Sequence, residues 1–87
     1  MKKILMIVAL AIWGVSCSKT ECTTEDRSQW QDEETFKKNL VEQGYKIEEF
    51  KVTDGNCYEI YGWNKDKKKV EIYFNPVDGT KVKEEAH

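Results

Sequence analysis

Asn56-Cys57-Tyr58-Glu59-Ile60-Tyr61 is the stretch whose reading decides the fold. Side chains alternate along it as they do along a strand, with Tyr58 and Ile60 on one face and Cys57, Glu59 and Tyr61 on the other. It is entered from the turn Thr53-Asp54-Gly55 and left through Gly62-Trp63-Asn64, so that Trp63 continues the second face. A polar turn, Asn64 to Lys67, then leads into Val70 to Asn75, which alternates again: Val70, Ile72 and Phe74 against Glu71, Tyr73 and Asn75. The face holding Ile60, Val70, Ile72 and Phe74 is the aliphatic one. It is therefore the face expected to meet a helix.

Such a helix is readable upstream. Asp32 is a suitable N-cap, Glu33 and Glu34 follow where the helix dipole favours negative charge, and Gly44 is a suitable stop. Phe36, Leu40 and Val41 form its apolar stripe, and Trp30 lies where it can close the entry. The spacing predicts a helix over about Asp32 to Gln43. Between helix and central strand, Tyr45-Lys46-Ile47 and Phe50-Lys51-Val52 alternate out of phase, and a bulge at Glu48-Glu49 reconciles them as one strand. Past the turn Pro76-Val77-Asp78-Gly79, Thr80 to Lys83 supplies a short edge strand. The expected class is α+β, one N-terminal helix on a three- to four-stranded antiparallel sheet, in a single domain without internal repeats.

The N-terminus has a different character. Lys2 and Lys3 precede the apolar run Ile4 to Trp13 and the small-residue segment Gly14-Val15-Ser16-Cys17, the order of a bacterial export signal, and the apolar run is too short for a stable membrane span. Residues 1–16 are read as a signal peptide and 17–29 as a polar tether containing Cys22; the domain is drawn over 30–84, with 85–87 as a tail. Two cleavage readings compete: lipidation at Cys17 in a lipobox-like context, with Gly14 where Leu is usual, or ordinary signal-peptidase cleavage releasing a soluble periplasmic protein. The odd count of three cysteines in an exported chain favours lipidation.

Charge narrows the function. Of 14 basic residues two belong to the leader, leaving 12 against 16 acidic ones, a formal charge of -4 beyond it. An acidic chain repels phosphate backbones, and nucleic-acid binding is set aside. The only histidine is the terminal His87, so no Ser-His or Cys-His arrangement and no histidine-rich metal site is expected, and glycine-rich phosphate loops are absent. Glu33, Glu34, Glu48 and Glu49 lack the spacing of a calcium loop or a carboxylate pair. No catalytic residue, metal or cofactor is expected.

Trp30, Gly44-Tyr45, Asp54-Gly55, Cys57-Tyr58-Glu59-Ile60, Val70-Glu71-Ile72-Tyr73 and Asn75-Pro76 with Gly79 occur in an order and spacing that resemble the small exported PepSY domain proteins. The resemblance runs from about Cys22 to Val82. It implies a helix packed on an antiparallel sheet, a PepSY or cystatin-like arrangement found also in propeptides of secreted metalloproteases. It implies a Cys22–Cys57 disulfide, since members of this branch often carry a cysteine ahead of the tryptophan and another in the Cys-Tyr-Glu strand. It further implies a non-catalytic module that restrains a protease or binds another envelope protein. Two positions depart from the pattern: Lys67 stands where the hairpin usually has Gly, which predicts a looser or longer turn, and Trp63 is an additional aromatic.

Tyr61, Trp63 and Tyr73 fall on the sheet face away from the helix and are the candidate partner-binding residues, as one aromatic patch. The competing reading is that the N-terminal segment covers them. Lys65, Lys67, Lys68 and Lys69 make a basic hairpin tip, more simply a solvated turn that discourages strand pairing than a docking site for an anionic partner or lipid headgroups. The functional expectation is a periplasmic protein-binding module whose partner is an envelope protein such as a protease, touching the membrane only through an anchor at Cys17. The alternatives are a periplasmic small-ligand, metal or haem-binding protein and a structural or accessory lipoprotein.

Overall fold

The computed structural model describes residues 19–87. The expected signal peptide and Cys17 lie outside the described residues. A 3-10 turn at Arg27–Gln29 precedes helix α1 (Glu33–Glu42), and four strands follow: β1 (Lys46–Val52), β2 (Tyr58–Trp63), β3 (Lys69–Phe74) and β4 (Lys81–Ala86). They form one antiparallel meander in sequence order, with α1 across one face. The architecture is the expected α+β. Among the described residues no helix is long and apolar enough to cross a membrane.

The helix forms where its caps allow. Asp32 accepts from the Thr35 N–H at 3.0 Å, and the Tyr45 N–H closes the far end on the Leu40 carbonyl at 3.0 Å. Phe36 and Leu40, one turn apart, enter the core with Tyr45, Tyr58, Ile60, Val70, Ile72 and Phe74. Phe36 is the hub, its ring 4.9 Å from Tyr58 and 5.2 Å from Phe74, and Trp30 closes the entry edge-on against Tyr58 at 5.6 Å. Val41, placed in the apolar stripe by its sequence, is 55% exposed. A single helix over a sheet buries only the residues one turn apart, and Val41 lies about 100° round from Leu40.

The bulge falls where the change of phase demanded it. Register shifts between Ile47 and Glu49, which keeps Ile47, Phe50 and Val52 turned towards the core. Gly62 makes room for it, since a Cβ there would stand 1.9 Å from the Lys46 carbonyl oxygen. The β2–β3 turn is tight rather than loose. The Asn64 N–H donates to the Lys68 carbonyl at 2.9 Å, the Asn64 side chain accepts from the Asp66 and Lys68 N–H groups, and Lys67 itself takes the left-handed conformation with φ 65°.

The C-terminal end corrects the expected boundary. Glu85 and Ala86 pair with Glu71 and Val70 inside β4, and the His87 N–H donates to the Lys69 carbonyl at 2.9 Å, so residues 85–87 continue the sheet and are not a tail. A run as polar as Lys-Val-Lys-Glu-Glu carries no alternation to read. Its backbone nonetheless pairs, because the outer edge of β3 would otherwise be left without partners.

Candidate functional site

The sheet face turned away from α1 is arranged in three rungs by strand register. The first runs Lys51, Glu59, Tyr73, Lys83; the second Glu49, Tyr61, Glu71, Glu85; the third Lys46, Trp63, Lys69, with His87 beyond. Tyr61, Trp63 and Tyr73 are thus on one face, as their parity predicts. They do not form one aromatic patch. Trp63 is flanked by the Lys46 and Lys69 ammonium groups at 5.1 and 5.5 Å, Tyr73 lies under Lys83 at 5.7 Å, and Tyr61 meets the His87 ring at 5.4 Å. All three side chains are half-buried.

What separates them is a pair of carboxyl groups at the centre of the face. Glu59 is 2% and Glu71 8% exposed, and they lie on adjacent strands one rung apart. Glu71 is well supported: its two oxygens meet Tyr73 Oη at 2.7 Å and His87 Nε2 at 3.0 Å. Glu59 has only Lys51 Nζ at 3.7 Å, and its Oε2 is buried without a donor. Glu59 stands one rung from Glu71, and two carboxyl groups that close disfavour the ionisation of both. Burial, and then the bond to Glu71, push the Glu59 carboxyl up to about 7. The bond from Glu59, reinforced by His87, Tyr73 and Tyr61, holds Glu71 well below the usual carboxylate range. Tyr73 is in turn raised, chiefly because its hydroxyl donates to Glu71. The two neighbouring acids are thus pushed in opposite directions, Glu59 up and Glu71 down.

The sequence reading missed this pair. Its search for paired carboxylates stayed within local spacing, whereas Glu59 and Glu71 are twelve positions apart and meet only through strand register. The available signal was an acidic residue on the same face of two consecutive strands, each beside an aromatic. His87, set aside as terminal, proves to be one of the groups that fix Glu71.

The disulfide joins Cys22 to Cys57, as the resemblance implied, with the Cα atoms 5.1 Å apart. Among the described residues it draws Lys19 and Thr20 over the first rung. The Cys22 N–H donates to the Gly55 carbonyl at 3.0 Å, and the approach is so close that a Cβ at Gly55 would stand 1.9 Å from the Thr20 carbonyl oxygen. Lys19 and Thr20 thereby wall a cavity of about 390 Å³ with Lys51, Asp54, Glu59, Tyr73 and Lys83. Among the described residues no group of three or more His, Cys, Asp or Glu side chains has the arrangement to hold a metal ion.

No curated protein and no solved structure matches the chain. The family described as peptidase propeptide and YPEB domain matches residues 3–85, nearly the whole length, and its domains are typically extracellular or periplasmic. With the helix on a four-stranded antiparallel meander, this match establishes that the chain belongs to the PepSY family.

Proposed function

We propose that the protein is a non-catalytic envelope module that binds another protein through the sheet face opposite α1, and that the partner is a protease restrained by occlusion. The observation that carries this reading is the asymmetry of the sheet. One face is filled by the helix, while on the other the described residues of the N-terminal segment, from Lys19 on, meet the first rung, and Tyr61 and Trp63 lie beyond them. Half-buried aromatics framed by charges of both signs suit a protein contact better than a deep substrate cleft. Family membership supports a propeptide-like or interaction role. Export with removal of residues 1–16, and a lipid anchor at Cys17, belong to the same proposal.

The test is capture from a native envelope extract, with the oxidised chain from Cys17 onward as bait and a Trp63→Ala/Tyr73→Ala form as control, followed by protease assays on whatever is held. A protease retained and slowed by the wild type but not by the control is the expected result. Equal capture by both forms would remove the sheet face from the proposal.

A further inference from the structure

Three lysines from distant parts of the chain converge on one cavity. Lys19 comes from the N-terminal segment, Lys51 from β1 and Lys83 from β4, and they line the space over the first rung with Glu59 and Tyr73. In a chain whose formal charge beyond the leader is -4, such a gathering of ammonium groups requires counter-charge. Little is supplied internally. Lys51 has only Glu59, at 3.7 Å; Lys83 has Glu85, on the exposed edge strand, at 3.3 Å; no carboxylate of the described residues pairs with Lys19. Asp54 lines the cavity but is exposed.

Glu59 decides the sign of the site. Its carboxyl is almost wholly buried, with one oxygen lacking any donor, and burial together with the neighbouring Glu71 pushes it up to about 7, which favours the neutral form on the acid side of that value. While that proton is held, the cavity has three ammonium groups against the single carboxylate of Asp54. Once it is lost, Glu59 becomes an anion on the cavity wall, beside Lys51 and one rung from Glu71.

We infer that this cavity is a binding site for a carboxylate of a peptide partner, its C-terminus or an acidic side chain, received by Lys19, Lys51 and Lys83. The donors are flexible single-charge ammonium groups, matched to one compact anion. A bound carboxylate repels a second one, so it keeps the proton on Glu59, and by reciprocity the proton strengthens carboxylate binding. The other charged and titratable groups facing Glu59 are Glu71, Tyr73 and Tyr61 from the sheet centre and Glu49, Glu85 and His87 from its edges. Only the peptide origin of the ligand rests on the protein-binding reading; the cavity itself is tested by a small acid.

The probes are acetyl-alanyl-alanine with a free carboxylate, the same dipeptide as its C-terminal amide, and inorganic phosphate, each titrated into the oxidised chain from Cys17 onward and followed by two-dimensional NMR. The free acid should give saturable shifts confined to Thr53 to Gly55, Tyr73 and Lys83, and the amide none. Because binding requires protonated Glu59, whose carboxyl titrates at about 7, affinity should fall about thirtyfold between about pH 6 and about pH 8.5. Lys51→Gln and Lys83→Gln should each weaken it, and Glu59→Gln should retain binding but lose the pH dependence. Equal shifts from acid and amide, or an affinity indifferent to pH in the wild type, would overturn the site. Phosphate binding as tightly as the acid would overturn its selectivity for a carboxylate. If the acid binds as described but no protein partner is captured, the protein-binding reading fails while the site stands.

Discussion

Glu59 and Glu71, twelve positions apart in sequence, are brought onto neighbouring strands at the centre of one sheet face, one rung apart and both almost wholly buried. Tyr73 and His87 support Glu71, while Glu59 has only Lys51 at 3.7 Å and is the acid that burial pushes up. A domain of this size has a thin core and little stability to spare. A buried ionisable pair in it makes stability depend on pH.

The sign follows from the two shifts. Glu59 is raised above its ordinary value of 4.5 to about 7, so its contribution is complete below the first value and is lost as pH rises through the second. Glu71 is lowered, so its contribution is present above 4.5 and is lost as pH falls towards strongly acid conditions. Stability should therefore peak near about pH 4.5 and decline by on the order of 2 kcal/mol on passing to about pH 8. Urea unfolding across this range checks it. Glu59→Gln should flatten the alkaline limb; a wild-type profile that rises from pH 5 to pH 8 would contradict the raised Glu59 carboxyl.

Cys22 and Cys57 close a loop of 35 residues. Reduction, or Cys22→Ser with Cys57→Ser, should remove about 4 kcal/mol in the chain-entropy account and free the Lys19 to Cys22 segment from Gly55. Calorimetry with and without reductant measures the loss. Proteolytic nicking ahead of Trp30 in the reduced form would report the release of the segment.

Lys67 occupies a left-handed position at φ 65°. Glycine adopts that conformation without the Cβ penalty, although it also loosens the unfolded chain. Lys67→Gly is expected to stabilise by about 0.5–1 kcal/mol, read as a higher Tm with the fold unchanged. A lower Tm would mean that the lysine side chain contributes something its exposed position does not show.

Gly62 lies opposite the β1 bulge, with no room for a methyl group against the Lys46 carbonyl. Gly62→Ala should displace β1 and cost about 2–4 kcal/mol. Val41→Glu, at an exposed helix position, should stay within about 0.5 kcal/mol of wild type. Comparing the two in one denaturation series tests the geometry of the bulge.

The helix ends, the turn at Asp54-Gly55, the bulge and the aliphatic face from Ile60 to Phe74 were all legible, because each is written in neighbouring residues. Caps act over three or four positions, alternation has period two, and a break in phase marks a bulge wherever it occurs. That same parity put Tyr61, Trp63 and Tyr73 on the open face. It did not reveal that charged rungs divide them, since an aromatic's cross-strand neighbours depend on register between strands. The extent of β4 escaped for a related reason: its polar side chains carry no pattern, and its pairing is decided by the backbone of β3.

By itself, then, the sequence determined the class of fold, the two faces of the sheet and, through an ordered set of motifs, the family. Only the tertiary structure decided that Glu59 and Glu71 meet, buried, one rung apart, that His87 supports Glu71, and that Lys19, Lys51 and Lys83 line one cavity. Burial patterns are local and periodic, whereas the energies of ionisable groups depend on distance and desolvation, which chain separation does not encode.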